Sequence, residues 1–348
     1  MFGDGSAETP WGIENYDDLK AVSNGINTQT TYLRRDHYIL AADIDASASA
    51  TEDETEPGSG VYQGFVPIGT PSWGYRFQGT FDGQGHTISN LYINRSSSGL
   101  FRFCGQDAEE DGSVRNVNLV DFEMHSTATN NGPLVVYFHP DSTGTIENCY
   151  AQGIFRASGD TTGGLVGSCS RPVINCFADV DIIGPRRIGG LVGSAGDGFS
   201  ATDCGVRGTI ECTHESTGEM GGIVGLGLAA HTITNCYAAI EYTLAGTSTS
   251  HAITSRSDAT VTDCFYDATL APVVNTTNGG SGKTTAEMKS IDTYTNTENE
   301  DLTTAWDMVA KSSWVDETWY IGSYPELGFM YTSAPAASAP MPQYIYGE

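Results

Sequence analysis

The sequence predicts an all-β fold, a parallel β-helix (β-solenoid) of about seven or more coils with an N-terminal capping helix and a Trp-rich C-terminal cap. Three observations predict it. The 348 residues include 42 Gly and 13 Pro, which disfavours long helices. A four-residue phrase (apolar, any residue, Asn or Asp, then Cys or a small apolar) recurs at nearly constant spacing. Between its copies, apolar and polar side chains alternate, as in strands that bury one face.

The phrase reads ISNL at 88–91, VRNV at 114–117, IENC at 146–149, VINC at 173–176, ATDC at 201–204, ITNC at 233–236 and VTDC at 261–264. Its copies are spaced by 26, 32, 27, 28, 32 and 28 residues. A second element lies between them: SGLF at 98–101, GGLVG at 163–167 and 189–193, and GGIVG at 221–225. Each repeat therefore holds at least two short strands joined by Gly-rich turns. Cys176, Ala178, Val180 and Ile182 fall on one strand face, as do Cys236, Ala238, Ile240 and Tyr242, while Asp179 and Asp181 fall on the other. A repeat of this size cannot bury its apolar face alone, so the coils stack at a rise of about 4.8 Å, and seven rungs span about 30 Å. Asn90, Asn116, Asn148, Asn175, Asp203, Asn235 and Asp263 hold one place in the phrase and predict a ladder of turn-forming or mutually hydrogen-bonded side chains.

The ends depart from the repeat, as the open ends of a solenoid must. Residues 1–80 are read as N-terminal cap and first strands, 81–270 as β-helix repeats, 271–330 as C-terminal cap and 331–348 as an extended Ala/Pro-rich arm. Within the first part, Leu19 and Val22 at helical spacing predict a capping helix over 14–25. Strands are expected at 38–44 and 64–68, and an exposed acidic loop over 47–60 with Glu52, Asp53, Glu54 and Glu56. Within the C-terminal cap, Trp306, Trp314, Trp319 and Tyr320 are expected to plug the final coil.

These phrases resemble the GLUG-motif family of repeats, named for the Gly-Leu-any-Gly run present here as GGLVG. VPIG at 66–69 and FQGTFDGQGHTISNL at 77–91 are similar to the first coil of such proteins, and the opening GDGSAETPWGIENYDDLKAV is similar to their N-terminal cap. The resemblance spans about residues 3–328. It implies β-helical adhesins, surface proteins and stalks of larger exported proteins, a scaffold or binding surface with no shared catalytic residues.

The charge balance excludes some function classes. With 43 Asp and Glu against 16 Lys and Arg, the net charge is −27, and the only lysines are Lys20, Lys283, Lys289 and Lys311. Nucleic-acid binding by phosphate neutralisation is disfavoured. Acid excess with scarce lysine suits concentrated salt, where screening quenches self-repulsion, so a halophilic source is expected. No run of about 18 apolar residues exists that could form a membrane-spanning helix. The start MFGDGSAETPW lacks the features of a signal peptide, which is read as either a trimmed chain or export by a route other than secretion.

No residue qualifies as a catalytic, cofactor-binding or metal-binding candidate, and no cofactor is expected. Cys149, Cys176, Cys204, Cys236 and Cys264 share one repeat position and predict a free, buried ladder; Cys104, Cys169 and Cys212 lie outside it. Zinc needs clustered ligands, and the histidines His37, His86, His125, His139, His214, His231 and His251 are scattered. Asp/Asn-rich turns, including Asp82 in FDGQGH, leave calcium open. Asp179 and Asp181 could form the carboxylate pair of a polysaccharide-cleaving β-helix, but in so acidic a chain a solvated face is the expected reading. The Gly-His of GQGHT superficially resembles a pectinase dipeptide, and the repeat accounts for it. GGLVG lacks the Lys-Ser/Thr of a phosphate loop. Asn94 and Asn275 open N-glycosylation sequons.

The expectation is a non-enzymatic structural or attachment protein. The specific form is an exterior virion component (decoration, turret, spike or tail fibre) of a virus of a halophilic archaeon; the alternatives are a cell-surface adhesin domain and, after it, a polysaccharide-degrading enzyme. Expected partners are other virion or surface-assembly proteins, through 331–348, further copies of the chain in a homo-oligomer, and host surface glycans or S-layer glycoprotein. Neither nucleic acid nor membrane insertion is expected.

Overall fold

The computed structural model describes residues 1–28, 34–106, 112–214, 218–271, 275–276, 279–298, 301–310, 319–321 and 324–327. The arm 331–348 and Trp314 lie outside the described residues.

One coil shows how the repeat folds. From Pro172–Ile174 the chain turns at Asn175 into Phe177–Gly184, then passes through Ile188–Gly189 and Val192–Ala195 to Ser200–Thr202. That last strand lies one rung above the first, parallel to it and in register, with Val173 opposite Ala201. Successive coils build a nine-stranded sheet at the first position, a ten-stranded sheet at the second and five-stranded sheets at the third and fourth. The result is a parallel β-solenoid of about eight turns.

The alternation sets the core as expected. Cys176, Ala178, Val180 and Ile182 point inward and are at most 3% exposed. Leu165, Leu191 and Ile223 of the GGLVG and GGIVG phrases are completely buried. Their glycines allow close backbone approach: a Cβ on Gly189 would lie 2.0 Å from the Val192 carbonyl oxygen and 2.5 Å from the Gly225 nitrogen. No side chain fits there.

The turn from the first sheet to the second is the predicted polar ladder. Asn116, Asn148, Asn175, Asp203, Asn235 and Asp263 adopt left-handed φ values of 52–56°, which Asn and Asp tolerate better than other side chains. Asn116 Nδ2 donates to Asp82 Oδ1 (2.8 Å), Asn148 to Asn116 (3.0 Å), Asn175 to Asn148 (2.5 Å) and Asn235 to Asp203 (3.2 Å). Where the upper residue is Asp, no N–H is offered downward, and Asn175 Oδ1 and Asn235 Oδ1 are buried without a donor. Asp263, on the last rung of this ladder, accepts instead from the Thr303 and Thr304 backbone.

Asn90 is a correction. Phe81 pairs with Val114 and Asp82 with Arg115, so the turn below VRNV is Asp82-Gly83, whereas Ile88 pairs with Leu119 in the second sheet. Asn90 is also left-handed (φ 59°), but it kinks the chain between Thr87–Ser89 and Tyr92–Arg95, which both pair with Asn118–Ser126. The same local chemistry serves a second geometry.

The column starts earlier than the recurring phrase. Trp11–Ile13 and Tyr38–Leu40 are the first two rungs of the nine-stranded sheet. Helix α1 (Tyr16–Thr28) lies between them in sequence. Asn15 Oδ1 accepts from the Asp18 N–H (3.0 Å), and Asp17 and Asp18 sit in the first turn, where the helix dipole favours negative charge. Leu19, Val22 and Ile26 are buried in the main core. The segment 47–60 is not simply an exposed acidic loop: it opens with the 3-10 turn Ser47–Thr51, in which Ser49 is fully buried. Glu52 accepts from Tyr16 Oη (2.6 Å) and Lys20 Nζ (2.7 Å).

At the other end, the aromatics pack on the flank of the column as well as beyond its last rung. Tyr150, Phe177, Tyr237 and Phe265 each follow a ladder cysteine, so strand alternation points them outward. Met288, Tyr294, Leu302, Trp306 and Leu327 cover them in a second core. Trp306 and Tyr294 lie 4.8 Å apart, centroid to centroid, and Tyr324 stacks on Tyr237 at 6.3 Å. A small sheet of Met308–Ala310, Trp319–Ile321 and Pro325–Leu327 accompanies them.

Candidate functional site

The N-terminal end carries two adjoining clefts. The larger, about 480 Å³, lies between α1 and the second-sheet edge and is lined by Lys20, Asn27, Glu52, Phe65 and Arg95 among others. Lys20 pairs with Glu52 (2.7 Å) and Asp17 (3.0 Å), and hydrogen bonding to Glu52 holds its ammonium above the usual lysine range. Arg95 spends four of its five N–H donors: on the Phe65 carbonyl (3.0 Å), Gln63 Oε1 (2.9 Å), the Gly64 carbonyl (2.7 Å) and Asp53 (2.5 Å). It fastens the 52–66 segment to the column.

The smaller cleft, about 250 Å³, shares Asn27, Val66 and Arg95 and adds Ser96, Ser97 and Arg102. Arg102 sits on Phe101–Cys104, where strand alternation turns it away from the core. Its buried Nε has no hydrogen-bond partner, and no carboxylate pairs with it among the described residues. Burial alone holds it below the usual arginine range. Asn27 donates to Ser23 Oγ (3.2 Å) and the Pro67 carbonyl (2.8 Å), leaving its buried Oδ1 without a donor.

Residues weighed from the sequence occupy structural positions. Asp179 accepts from Arg207 (2.9 Å), which also meets Glu326 (3.4 Å) and lies 5.0 Å over the Phe177 ring. Glu326 is only 1% exposed, so this network pins the C-terminal segment to the flank. Asp181 accepts from Thr209 Oγ1 (2.7 Å). Asp82 is 7% exposed. Burial raises its pKa, but Asn116, the Gln84 N–H and Arg115 outweigh this and hold it below the usual carboxylate range. His86 contacts Asp43 (3.1 Å) at the surface. No group of three or more metal-ligating side chains occurs among the described residues.

All eight cysteines are free and buried. In the ladder, the Sγ atoms of Cys149, Cys176, Cys204, Cys236 and Cys264 lie 3.2 Å from the carbonyl two residues back. Burial pushes the Cys176 and Cys236 thiols well up, and Cys169 to about 12. Such thiols are poor nucleophiles.

The sequence did not single out Arg102 or Asn27. An arginine directly after the phenylalanine of SGLF was a readable signal, but its lack of a partner was not.

The coils and their polar corners define a parallel β-helix. Residues 184–211, one full turn from the end of one long strand into the next, match the GLUG motif. The chain is 35% identical over 167 residues, 48% of its length, to halomucin of Haloquadratum walsbyi. It is 33% identical over 120 residues, 34% of its length, to a protein of Evansella cellulosilytica provisionally named a Gly-rich membrane protein. The matches span 2% and 12% of those much longer proteins. Among solved structures, a Bacteroides ovatus protein provisionally named an immunoglobulin A1 protease superposes with a TM-score of 0.64 at 19% identity, over 94% of both chains. A second structure, an IgA1 protease, gives 0.53 at 16% identity over 73% of this chain and 19% of that one. At these identities the likeness is one of fold.

Proposed function

We propose that the chain is a non-enzymatic attachment module: a stiff column on the exterior of a halophilic cell that presents its flanks and N-terminal clefts to envelope or matrix glycans. The observation that carries this reading is the 167-residue similarity to halomucin. The charge of −27 agrees with it, since acidic surfaces keep proteins soluble in concentrated salt. Asp179 is engaged by Arg207 and Asp181 by Thr209, so both halves of the carboxylate pair have structural partners, which supports a binding role over hydrolysis. Many weak contacts from repeated copies supply avidity, so homo-oligomers and neighbouring surface proteins, reached through 331–348, belong to the proposal.

The same module on a virus particle infecting a halophilic archaeon is the narrower setting. The two relatives favour the cell surface over it. The deciding experiment labels the native protein in intact cells and particles, measures binding of the purified chain to isolated envelopes, and assays release of reducing ends from acidic polysaccharides. Surface label and saturable envelope binding without sugar release are expected. Sugar release with turnover, or no envelope binding at all, overturns the proposal.

A further inference from the structure

We infer that the 250 Å³ cleft around Arg102 and Asn27 is a subsite for one acidic sugar unit, a uronate or a sulfated hexose, whose anionic group Arg102 receives and whose hydroxyl Asn27 receives. This deepens the attachment reading and rests on it. Acidic side chains outnumber basic ones by 43 to 16, so an arginine in a cleft should attract a carboxylate. Arg95, in the same cleft, has one in Asp53. Arg102 has none among the described residues, and its Nε is buried with its donor capacity unspent.

Such a group costs stability unless a ligand answers it. Across the cleft, Asn27 Oδ1 is an equally buried acceptor awaiting a donor, while Ser96 and Ser97 offer hydroxyls. An inorganic anion satisfies Arg102 and leaves Asn27 unanswered. A neutral sugar does the reverse. A sugar acid satisfies both, and the volume suits one ring.

The test is titration of the full chain, in the salt that keeps it folded, with glucuronate, glucose 6-sulfate, glucose and acetate, read by calorimetry or saturation-transfer NMR. Glucuronate or glucose 6-sulfate should bind at least about tenfold more tightly than glucose and acetate. The order of the two acidic sugars tells carboxylate from sulfate. Arg102→Met should weaken the preferred sugar by about tenfold or more. It should leave the unfolding midpoint of the free protein unchanged or raised, because no partner is lost. Arg156→Met, which removes an equal charge paired to Glu123 elsewhere, should bind as the parent does. Equal binding of glucose, acetate binding as tight as glucuronate, or unaltered affinity in Arg102→Met overturns the inference. The wild-type comparison stands even if a variant misfolds. Envelope binding that survives a negative sugar titration overturns this subsite while leaving the attachment role intact.

Discussion

Replacing Asp203 by Asn should stabilise the protein. In the corner ladder each Asn amide donates to the oxygen one rung below, and Asn175 Oδ1 goes without because Asp203 has no N–H to offer. The substitution supplies that donor, keeps the oxygen that accepts from Asn235 (3.2 Å) and suits the left-handed φ of 53°. It also removes one of the 43 acidic side chains. One net hydrogen bond is worth about 1 kcal/mol, rising toward about 3 kcal/mol when a buried orphan acceptor is satisfied. The opposite perturbation is Asn148→Ala. It deletes the bonds to Asn116 (3.0 Å) and from Asn175 (2.5 Å) and forces alanine into the left-handed region, for a loss of about 3–4 kcal/mol. Urea unfolding in molar salt, followed by circular dichroism and tryptophan fluorescence, reads both changes as midpoint shifts at constant slope. A destabilised Asp203→Asn, or an Asn148→Ala within about 1 kcal/mol of the parent, would refute the ladder as a source of stability.

Other perturbations probe the flank, the core and the charge. Arg207→Met leaves Glu326 buried without its cation and should cost about 3–5 kcal/mol, with Trp306 fluorescence reporting release of the C-terminal segment before the coils unfold. Leu191→Ala empties a completely buried rung and should cost about 2–5 kcal/mol in the same urea assay. Burial lowers the pKa of His231, whose ring lies 3.1 Å from Thr254 Oγ1. The unfolded chain therefore takes up its proton first, and stability should fall as pH drops below about 6.5, a slope that His231→Gln should reduce. Thermal midpoints should rise between about 0.15 M and about 1 M KCl, as the Debye length shrinks from about 8 Å to about 3 Å; a midpoint independent of salt would contradict the halophilic reading.

What the sequence made legible follows from which residues repeat. The spacing of Cys149 to Cys264 and the alternation after each cysteine were enough to stack the coils and to place Ala178, Val180 and Ile182 inside. The Trp11–Ile13 strand was hidden, and Tyr38–Leu40, within the strand expected at 38–44, could not be assigned to a rung, because neither carries the Asn corner or the cysteine. Asn90 misled because a left-handed Asn serves equally a corner and a kink, and only pairing partners tell them apart. The flank contact was foreshadowed by the aromatic after four of the five ladder cysteines, with Gly205 the exception, but not by any signal for what covers it. Arg102 and Asn27 lie 75 residues apart in sequence, and only the fold brings them to one cleft.

In-register stacking can be read directly from the sulfur atoms. Anomalous diffraction from native crystals should place the Sγ atoms of Cys149, Cys176, Cys204, Cys236 and Cys264 in one nearly straight row at intervals of about 4.8 Å. Five sulfurs scattered through the molecule, or a row broken at any of these rungs, would contradict the column on which the rest of the account stands.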